Sequence, residues 1–243
     1  MQMTPELAEF CGIHAGDGYM RKRGVTYEVD ISGSLEEQEY YDEYVIPLVN
    51  KLFGTAIKGR AFFPRGTYGF RTHDKNIAKT LNEQGFPFGS KTLNVHCPES
   101  ILVSNDETIH EAFLRGFFDT DGCVCFAKRY GTYQQYKKEH QVYPRILLTT
   151  CSERLAGELC TLLNSLCFLT RCYKREVGIR MLHPTYGIHL NGKIAVEHWM
   201  NTIGTSNPVK ESKYLLWKKM GFCPPNTTHL ERLKVLKGDV LQS

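Results

Sequence analysis

The segments Phe10–Gly18, FCGIHAGDG, and Leu114–Gly122, LRGFFDTDG, decide how this chain is read, because they are two versions of one pattern. Each has Gly at its third position and Asp-Gly at its end. A second pair follows in the same order, TYGFRTHDKNIAKTL from Thr67 and TYGIHLNGKIAVEHWM from Thr185. The offset is 104 residues from Asp17 to Asp121 and 118 from Thr67 to Thr185, so the second copy carries 14 more residues between its two matches. The polar, tyrosine-rich stretch 127–141 accommodates them. Two collinear matches with one localised insertion indicate a duplication, at a period too long for a solenoid. The expected organisation is a repeat over 1–103, a repeat over 104–221 and a tail over 222–243.

Each copy gives the same order of elements. Thr4-Pro5-Glu6 supplies a cap, a proline at the first helical position and an early acid; Leu7, Phe10, Cys11 and His14 then recur at helical spacing up to a stop near Gly16. Tyr27, Val29 and Ile31 alternate with Glu28, Asp30 and Ser32, the period of a half-buried strand. An amphipathic helix is expected over 36–53, a hairpin over 56–72 broken at Pro64-Arg65-Gly66, and a helix over 74–83 stopped by Gly85-Phe86-Pro87. In the second copy Ser104 with Glu107 reads as a capping box, ahead of Ile109, Ala112, Phe113, Gly116, Phe117 and Thr120 at helical spacing. Strands over 122–127 and 145–150, a helix over 153–166, a hairpin over 169–190 and a helix over 193–203 complete it. The expected fold class is α+β, an αββαββα unit present twice.

Gly12 and Gly16 share one face of the first helix, as Gly116 and Thr120 do on the second, and small residues four apart let two backbones approach closely. Packed as a pseudo-twofold pair, the helices would bring Asp17 and Asp121 together at their C-terminal ends. Two carboxylates at the negative ends of two helix dipoles repel each other and titrate high unless a cation lies between them. Oxygen ligands of this kind favour Mg²⁺ or a similar hard ion. Asp-Gly can also simply stop a helix; its symmetric recurrence on duplicated helices is what points to chemistry. Phe118-Asp119-Thr120-Asp121-Gly122 superficially fits the Asp-x-Asp-Gly of phosphatases whose first aspartate is a nucleophile at a strand end. Here the preceding period is helical, and Ala15 stands at the matching place in the first copy. An EF-hand loop lacks its closing acid. Cys123-Val-Cys125 turns two thiols to one strand face without a second ligand pair, so structural zinc is not expected.

The two Asp-Gly segments resemble the paired motifs of single-chain LAGLIDADG homing endonucleases, and the duplicated pattern agrees with that family over residues 4–219. The resemblance implies pseudo-twofold symmetry, antiparallel sheets forming a DNA-binding saddle, and an Mg²⁺-dependent endonuclease that makes a double-strand break in a long asymmetric DNA target. It places two or more divalent ions on Asp17 and Asp121, helped by the backbone carbonyls of Gly16 and Thr120, with Mn²⁺ or Ca²⁺ able to substitute in binding. The family keeps a basic residue beside each active site; by position these are Lys91 and Lys210, with Lys213 a competing choice. Where family members often place a long polar residue at the end of the second strand, this chain has Ser32-Gly33-Ser34 and Thr149-Thr150, and water is expected to fill the gap. A non-cleaving binder on the same scaffold, an RNA maturase or a DNA-binding regulator, is the alternative, which the presence of both acids disfavours.

The charge is distributed to match. Residues 57–73 hold Lys58, Arg60, Arg65 and Arg71 and no acid, and Lys22 and Arg23 precede them on the first hairpin. Residues 124–145 hold Lys128, Arg129, Lys137, Lys138 and Arg145 against Glu139, and residues 169–191 hold Arg171, Lys174, Arg175 and Arg180 against Glu176. By contrast, residues 35–43 carry Glu36, Glu37, Glu39, Asp42 and Glu43 and no base. Basic hairpins backed by acidic helices suit double-stranded DNA, because a two-stranded ribbon fits the major groove. Arg60, Arg71, Arg145 and Arg175 are candidates for guanine, Glu28 and Asp30 for cytosine, and the lysines for phosphates. The net charge of +4 is what remains after these blocks cancel.

At 243 residues, 42% hydrophobic and 23% charged, the chain has an ordinary globular composition. No run approaches the roughly 18 apolar residues of a membrane span, and Met1 to Glu9 does not read as a secretory signal. Most of the nine cysteines lie inside apolar runs, among them Cys11, Cys123, Cys125, Cys160 and Cys167, which suits reduced thiols acting as small hydrophobes. The expectation is an intracellular, cytoplasmic monomer with no membrane contact and no obligate protein partner. The segment from Phe222 onward carries no motif that assigns it a role.

Overall fold

In the computed structural model, which describes residues 2–127, 142–177 and 182–238, Thr4 Oγ1 accepts the Leu7 amide at 3.3 Å and starts α1 (Pro5–Asp17). The hairpin β1 (Gly18–Arg23) and β2 (Thr26–Ser34) follows. The helical segment 35–53 is not one regular helix. A 3₁₀ turn, Leu35–Glu37, leads into α2 (Gln38–Tyr40), a π-helical stretch, Tyr41–Val45, and α3 (Ile46–Phe53). Pro47 has no N–H for the Glu43 carbonyl and its ring crowds that turn, which accounts for the widening. Then come β3 (Arg60–Phe62), β4 (Thr67–Thr72), α4 (Lys75–Glu83) and the short α5 (Glu99–Leu102).

The second repeat runs α6 (Glu107–Asp121), β5 (Gly122–Ala127), β6 (Tyr143–Thr150), α7 (Glu153–Ser165), β7 (Arg171–Arg175), β8 (Thr185–Asn191) and α8 (Lys193–Thr202). Two more helices, α9 (Pro208–Met220) and α10 (His229–Lys237), close the described chain. The cap of α6 is Asp106, which accepts the Thr108 amide at 3.0 Å, and not Ser104. A charged oxygen beside the first amides exploits the helix dipole as the serine cannot, and Ser104 Oγ accepts the Asp106 amide at 3.1 Å instead.

The strands form two open, antiparallel, four-stranded sheets of equivalent order, β1-β2-β4-β3 and β5-β6-β8-β7. The Thr-Tyr-Gly triplets at Thr67 and Thr185 open equivalent strands, β4 and β8. One face of each sheet packs on the helices through Met20, Val29, Ile31 and Phe70 in the first repeat and Val124, Ile146, Leu148 and Ile188 in the second. The other face carries the polar residues.

Between the repeats, α1 and α6 touch backbone to backbone. A Cβ on Gly12 would stand 2.2 Å from the Phe113 carbonyl oxygen, and one on Gly116 would stand 2.2 Å from that of Glu9. Every residue of α1 from Leu7 to Ala15 is buried, as expected of a central helix. The buried Glu9 carboxylate is matched by Arg115, which donates to both its oxygens at 2.9 and 2.6 Å, and by Tyr44 Oη at 2.7 Å. No described helix is long and apolar enough to cross a membrane. Cys167, expected inside, is exposed at the turn after α7 with a φ of 62°.

Candidate active site

The two Asp-Gly helix ends meet. A Cβ on Gly16 would lie 2.0 Å from Thr120 Oγ1 and 3.4 Å from the Asp121 carboxyl carbon, so Asp17 and Asp121 sit side by side where α1 and α6 give way to β1 and β5. Burial, then the Asp121 charge, pushes the Asp17 carboxyl up to about 7, against a hydrogen bond from Tyr41 and the Lys210 charge. Burial also raises Asp121, against Lys91 and Lys210. Asp121, packed against protein on one side and exposed on the other, lines a cavity of about 310 Å³ together with Gly16, Lys91, Thr149 and Thr150, among others.

Lys91 and Lys210 converge on the same helix ends. Lys91 Nζ donates to the Ala15 carbonyl and, at 2.6 Å, to that of Gly16. Lys210 Nζ donates to the carbonyls of Phe118 at 2.6 Å, Thr120 at 3.0 Å and Gly122 at 2.7 Å. Cations at helix C-termini complement the dipole. The ammonium of Lys210 therefore uses all three of its N–H groups, whereas Lys91 keeps one free. Burial holds Lys91 down to about 8 against the pull of Asp121 and Asp17, and lowers Lys210 as well. Of the competing pair, Lys210 is the one seated on the helix end. The Gly16 and Thr120 carbonyls, expected to face a metal, accept from these lysines, so a cation would meet the two carboxylates first.

Three residues at the centre carried no signal in the sequence. Beside Ser32–Ser34, Tyr41 Oη donates to Asp17 Oδ2 at 2.7 Å, and Glu37 accepts the Ser34 amide at 3.0 Å. Gly33 makes room for both, since a Cβ there would stand 2.6 Å from Glu37 Oε2 and 2.8 Å from Asp17 Oδ2. Counting from the caps Ser34 and Ser152, the second repeat has Leu155 and Leu159 at these two places, both fully buried. The third residue is Asn207, which caps α9 and donates to Glu37 at 2.7 Å and to the Asp119 carbonyl at 2.9 Å. Asp119 accepts the hydroxyl of Thr205 and, at 2.8 Å, the Ser206 amide. Its counterpart Ala15 has no such anchor.

The donor set fits a hard divalent cation. Among the described residues no three His, Cys, Asp and Glu side chains gather for one, but two crowded, high-titrating carboxylates and the notch left by Gly33 present oxygen alone. A thiophilic ion is not matched.

On the first sheet Arg65 and Arg71 are not free. Arg21, Glu28, Arg71, Asp30 and Arg65 form a ladder, with Arg21–Glu28 at 2.9 Å, Arg71–Glu28 at 4.0 Å, Arg71–Asp30 at 2.6 Å and Arg65–Asp30 at 3.2 Å. Asp30, expected outward and available, is 4% exposed beneath its two arginines, because a carboxylate in mid-sheet finds guanidinium partners across β4. Arg60, Arg65 and Arg71 also gather over the Phe62 ring. Lys22 lies over Tyr27, and Arg23 and Lys58 are exposed. The second sheet carries Arg145, Arg171, Arg175 and His189 around a concavity of about 910 Å³. Arg145 Nε and His189 Nδ1 are buried there without a hydrogen-bond partner. Lys174 pairs with Glu176 at 3.0 Å. Lys128, Arg129, Lys137, Lys138 and Arg180 lie outside the described residues.

Residues 108–204 match the family model of a LAGLIDADG-like domain. The second repeat belongs to this family. The likeness in fold extends over both repeats. The homing endonuclease I-DmoI superposes with a TM-score of 0.55 at 16% identity, covering 84% of this chain and 91% of that one. The LAGLIDADG meganuclease I-AabMI, bound to uncleaved DNA, gives 0.54 at 14%, covering 98% and 100%. Meganuclease I-SmaMI, bound to uncleavable DNA, gives 0.53 at 12%, covering 98% and 97%. An uncharacterized protein of Methanocaldococcus jannaschii is 22% identical over 163 residues, 67% of this chain, which itself spans 55% of that relative.

Proposed function

We propose that this chain is a site-specific DNA endonuclease of the homing type, making a metal-dependent double-strand break in a long asymmetric duplex. The observation that carries the reading is the Asp17–Asp121 pair, held where two duplicated helices meet between two sheets whose outer faces are basic. The DNA-bound homing endonucleases of like fold support it, as does their crystallisation with manganese and with calcium. Divalent ions, Mg²⁺ foremost, would supply activation of water and stabilisation of the leaving oxygen. Asp17 and Asp121 would hold them. Lys91, with one N–H unused, would reach a phosphate oxygen, while Lys210 would act as a fixed positive charge on it. The sheets would follow the major groove on either side, with Arg145, Arg171 and Arg175, none of them ion-paired among the described residues, placed to read bases or hold phosphates.

The test is incubation of the purified chain with a plasmid bearing the uninterrupted locus that flanks its own gene. Linear product is expected with Mg²⁺ and none with EDTA. Retarded but uncut plasmid would make the chain a non-cleaving binder.

The ladder on the first sheet gives a second expected result. Asp30→Asn releases Arg65 and Arg71, adding about one phosphate-competent charge. Binding should tighten on every sequence, and the plot of log affinity against log salt should steepen by about 1. An unchanged slope in a salt titration would mean that these arginines do not face DNA.

A further inference from the structure

The segment after α9 carries no motif, but it packs onto the helix that bears Lys210. Arg232, on α10, is 1% exposed. Its Nε donates to Ser212 Oγ at 2.9 Å, one terminal nitrogen donates to the Val209 carbonyl at 3.1 Å, and the other to the Thr227 carbonyl. Ser212 Oγ donates to the Val209 carbonyl at 3.0 Å and lies 2.9 Å from His229 Nδ1. With its one proton given to Val209, that hydroxyl accepts from both Arg232 and His229, which puts the imidazole proton on Nδ1. Val209 and Ser212 flank Lys210 in the first turns of α9. The same segment reaches the first repeat: the His229 amide donates to Glu36, and the Arg232 guanidinium stands 4.0 Å from that carboxylate. Glu36 adjoins Glu37, which lies against Asp17 and Asn207.

A fully buried arginine is costly unless its donors are matched and its charge is answered; here each guanidinium nitrogen donates once, two of them to groups on α9, and the Glu36 carboxylate stands 4.0 Å away. Only one lysine depends on it. Lys91 is seated on the other helix end and has no contact with α10.

We infer that the C-terminal segment is a positioning clamp, in which Arg232 and His229 fix the first turns of α9 so that the Lys210 ammonium stays on the carbonyls of Phe118, Thr120 and Gly122. The inference rests on the nuclease reading for its consequence, but its geometry can be measured without cleavage. In the full chain, lysines are acetylated under limiting reagent at pH 8 and each site is followed by peptide mass spectrometry, for wild type, Arg232→Met and Ser212→Ala. The variants should raise the labelling rate of Lys210 at least fivefold and leave Lys91 within twofold, while single-turnover cleavage falls about tenfold at unchanged DNA affinity. Ser212→Ala removes one hydroxyl and carries the test should Arg232→Met fail to fold. Unchanged Lys210 labelling, or equal acceleration at Lys91 and Lys210 as in general loosening, overturns the clamp. Selective acceleration at Lys210 in a protein whose wild type cuts nothing upholds the clamp and removes the nuclease reading.

Discussion

Asp121→Asn and Asp17→Asn should each lower double-strand cleavage about 10³-fold or more, with affinity for the same duplex unchanged within a few fold. Asparagine keeps the shape and one acceptor oxygen, so Tyr41 can still donate to position 17, but the negative charge that would hold a divalent ion is gone. The two aspartates lie next to each other, so losing either should affect both strands, and nicked plasmid should not accumulate in place of linear product. A gel-based time course with Mg²⁺, beside a binding titration in Ca²⁺, measures both quantities. Full cleavage by either variant would remove the assignment.

The same substitution has an opposite effect on stability. The folded-state pKa of Asp17 is raised from 3.8 to about 7, first by burial and then by Asp121. A raised carboxyl contributes its full stability below the unfolded value and loses it as pH rises through the folded value. In EDTA, Asp17→Asn should therefore melt near wild type at pH 4 and about 5 °C above it at pH 8, the gap opening between pH 3.8 and 7. Added Mg²⁺ should narrow the gap by stabilising wild type through binding. A stability cost carried by an ionised pair, and relieved by a cation, is what separates this pair from two helix-ending aspartates.

Much of this was legible beforehand because the duplication made each signal appear twice. The order of elements and the meeting of the Asp-Gly ends follow from local periodicity plus symmetry, whereas Lys91 and Lys210 are implied by the family resemblance. What escaped is what symmetry does not govern. Glu37 and Tyr41 have leucines at their counterpart positions, Asp119 has Ala15, and the tail has no counterpart at all. Glu37 in sequence is one of five acids in a nine-residue stretch, indistinguishable from a solvated helix face until the 3₁₀ turn and the Gly33 notch aim it at Asp17. Asp30 departs from its expected outward place for a related reason. Alternation fixes which face a side chain takes, but whether it meets water or an arginine depends on strand register across β2 and β4.

Gly12→Ala and Gly116→Ala should each cost about 3 kcal/mol, near the upper end for overpacking, and lower the melting temperature by about 6 to 12 °C. Alanine for glycine inside a helix ordinarily stabilises by about 1 kcal/mol, so the sign itself is diagnostic. The obstacle at both sites is a carbonyl oxygen of the facing helix, 2.2 Å from the new Cβ, and main chain cannot rotate aside as a side chain can. Relief requires α1 and α6 to separate, which strips contacts along both helices and draws Asp17 away from Asp121, so cleavage should fall together with stability. Gly157 on α7 is the control: nothing lies within 4 Å of a Cβ there, and Gly157→Ala should stabilise. Because one separation of the helices relieves both clashes, the double variant should cost clearly less than the sum of the two singles. Full additivity in urea melts would mean that the two glycines do not share an interface, and with it would go the geometric reason for the aspartates to meet.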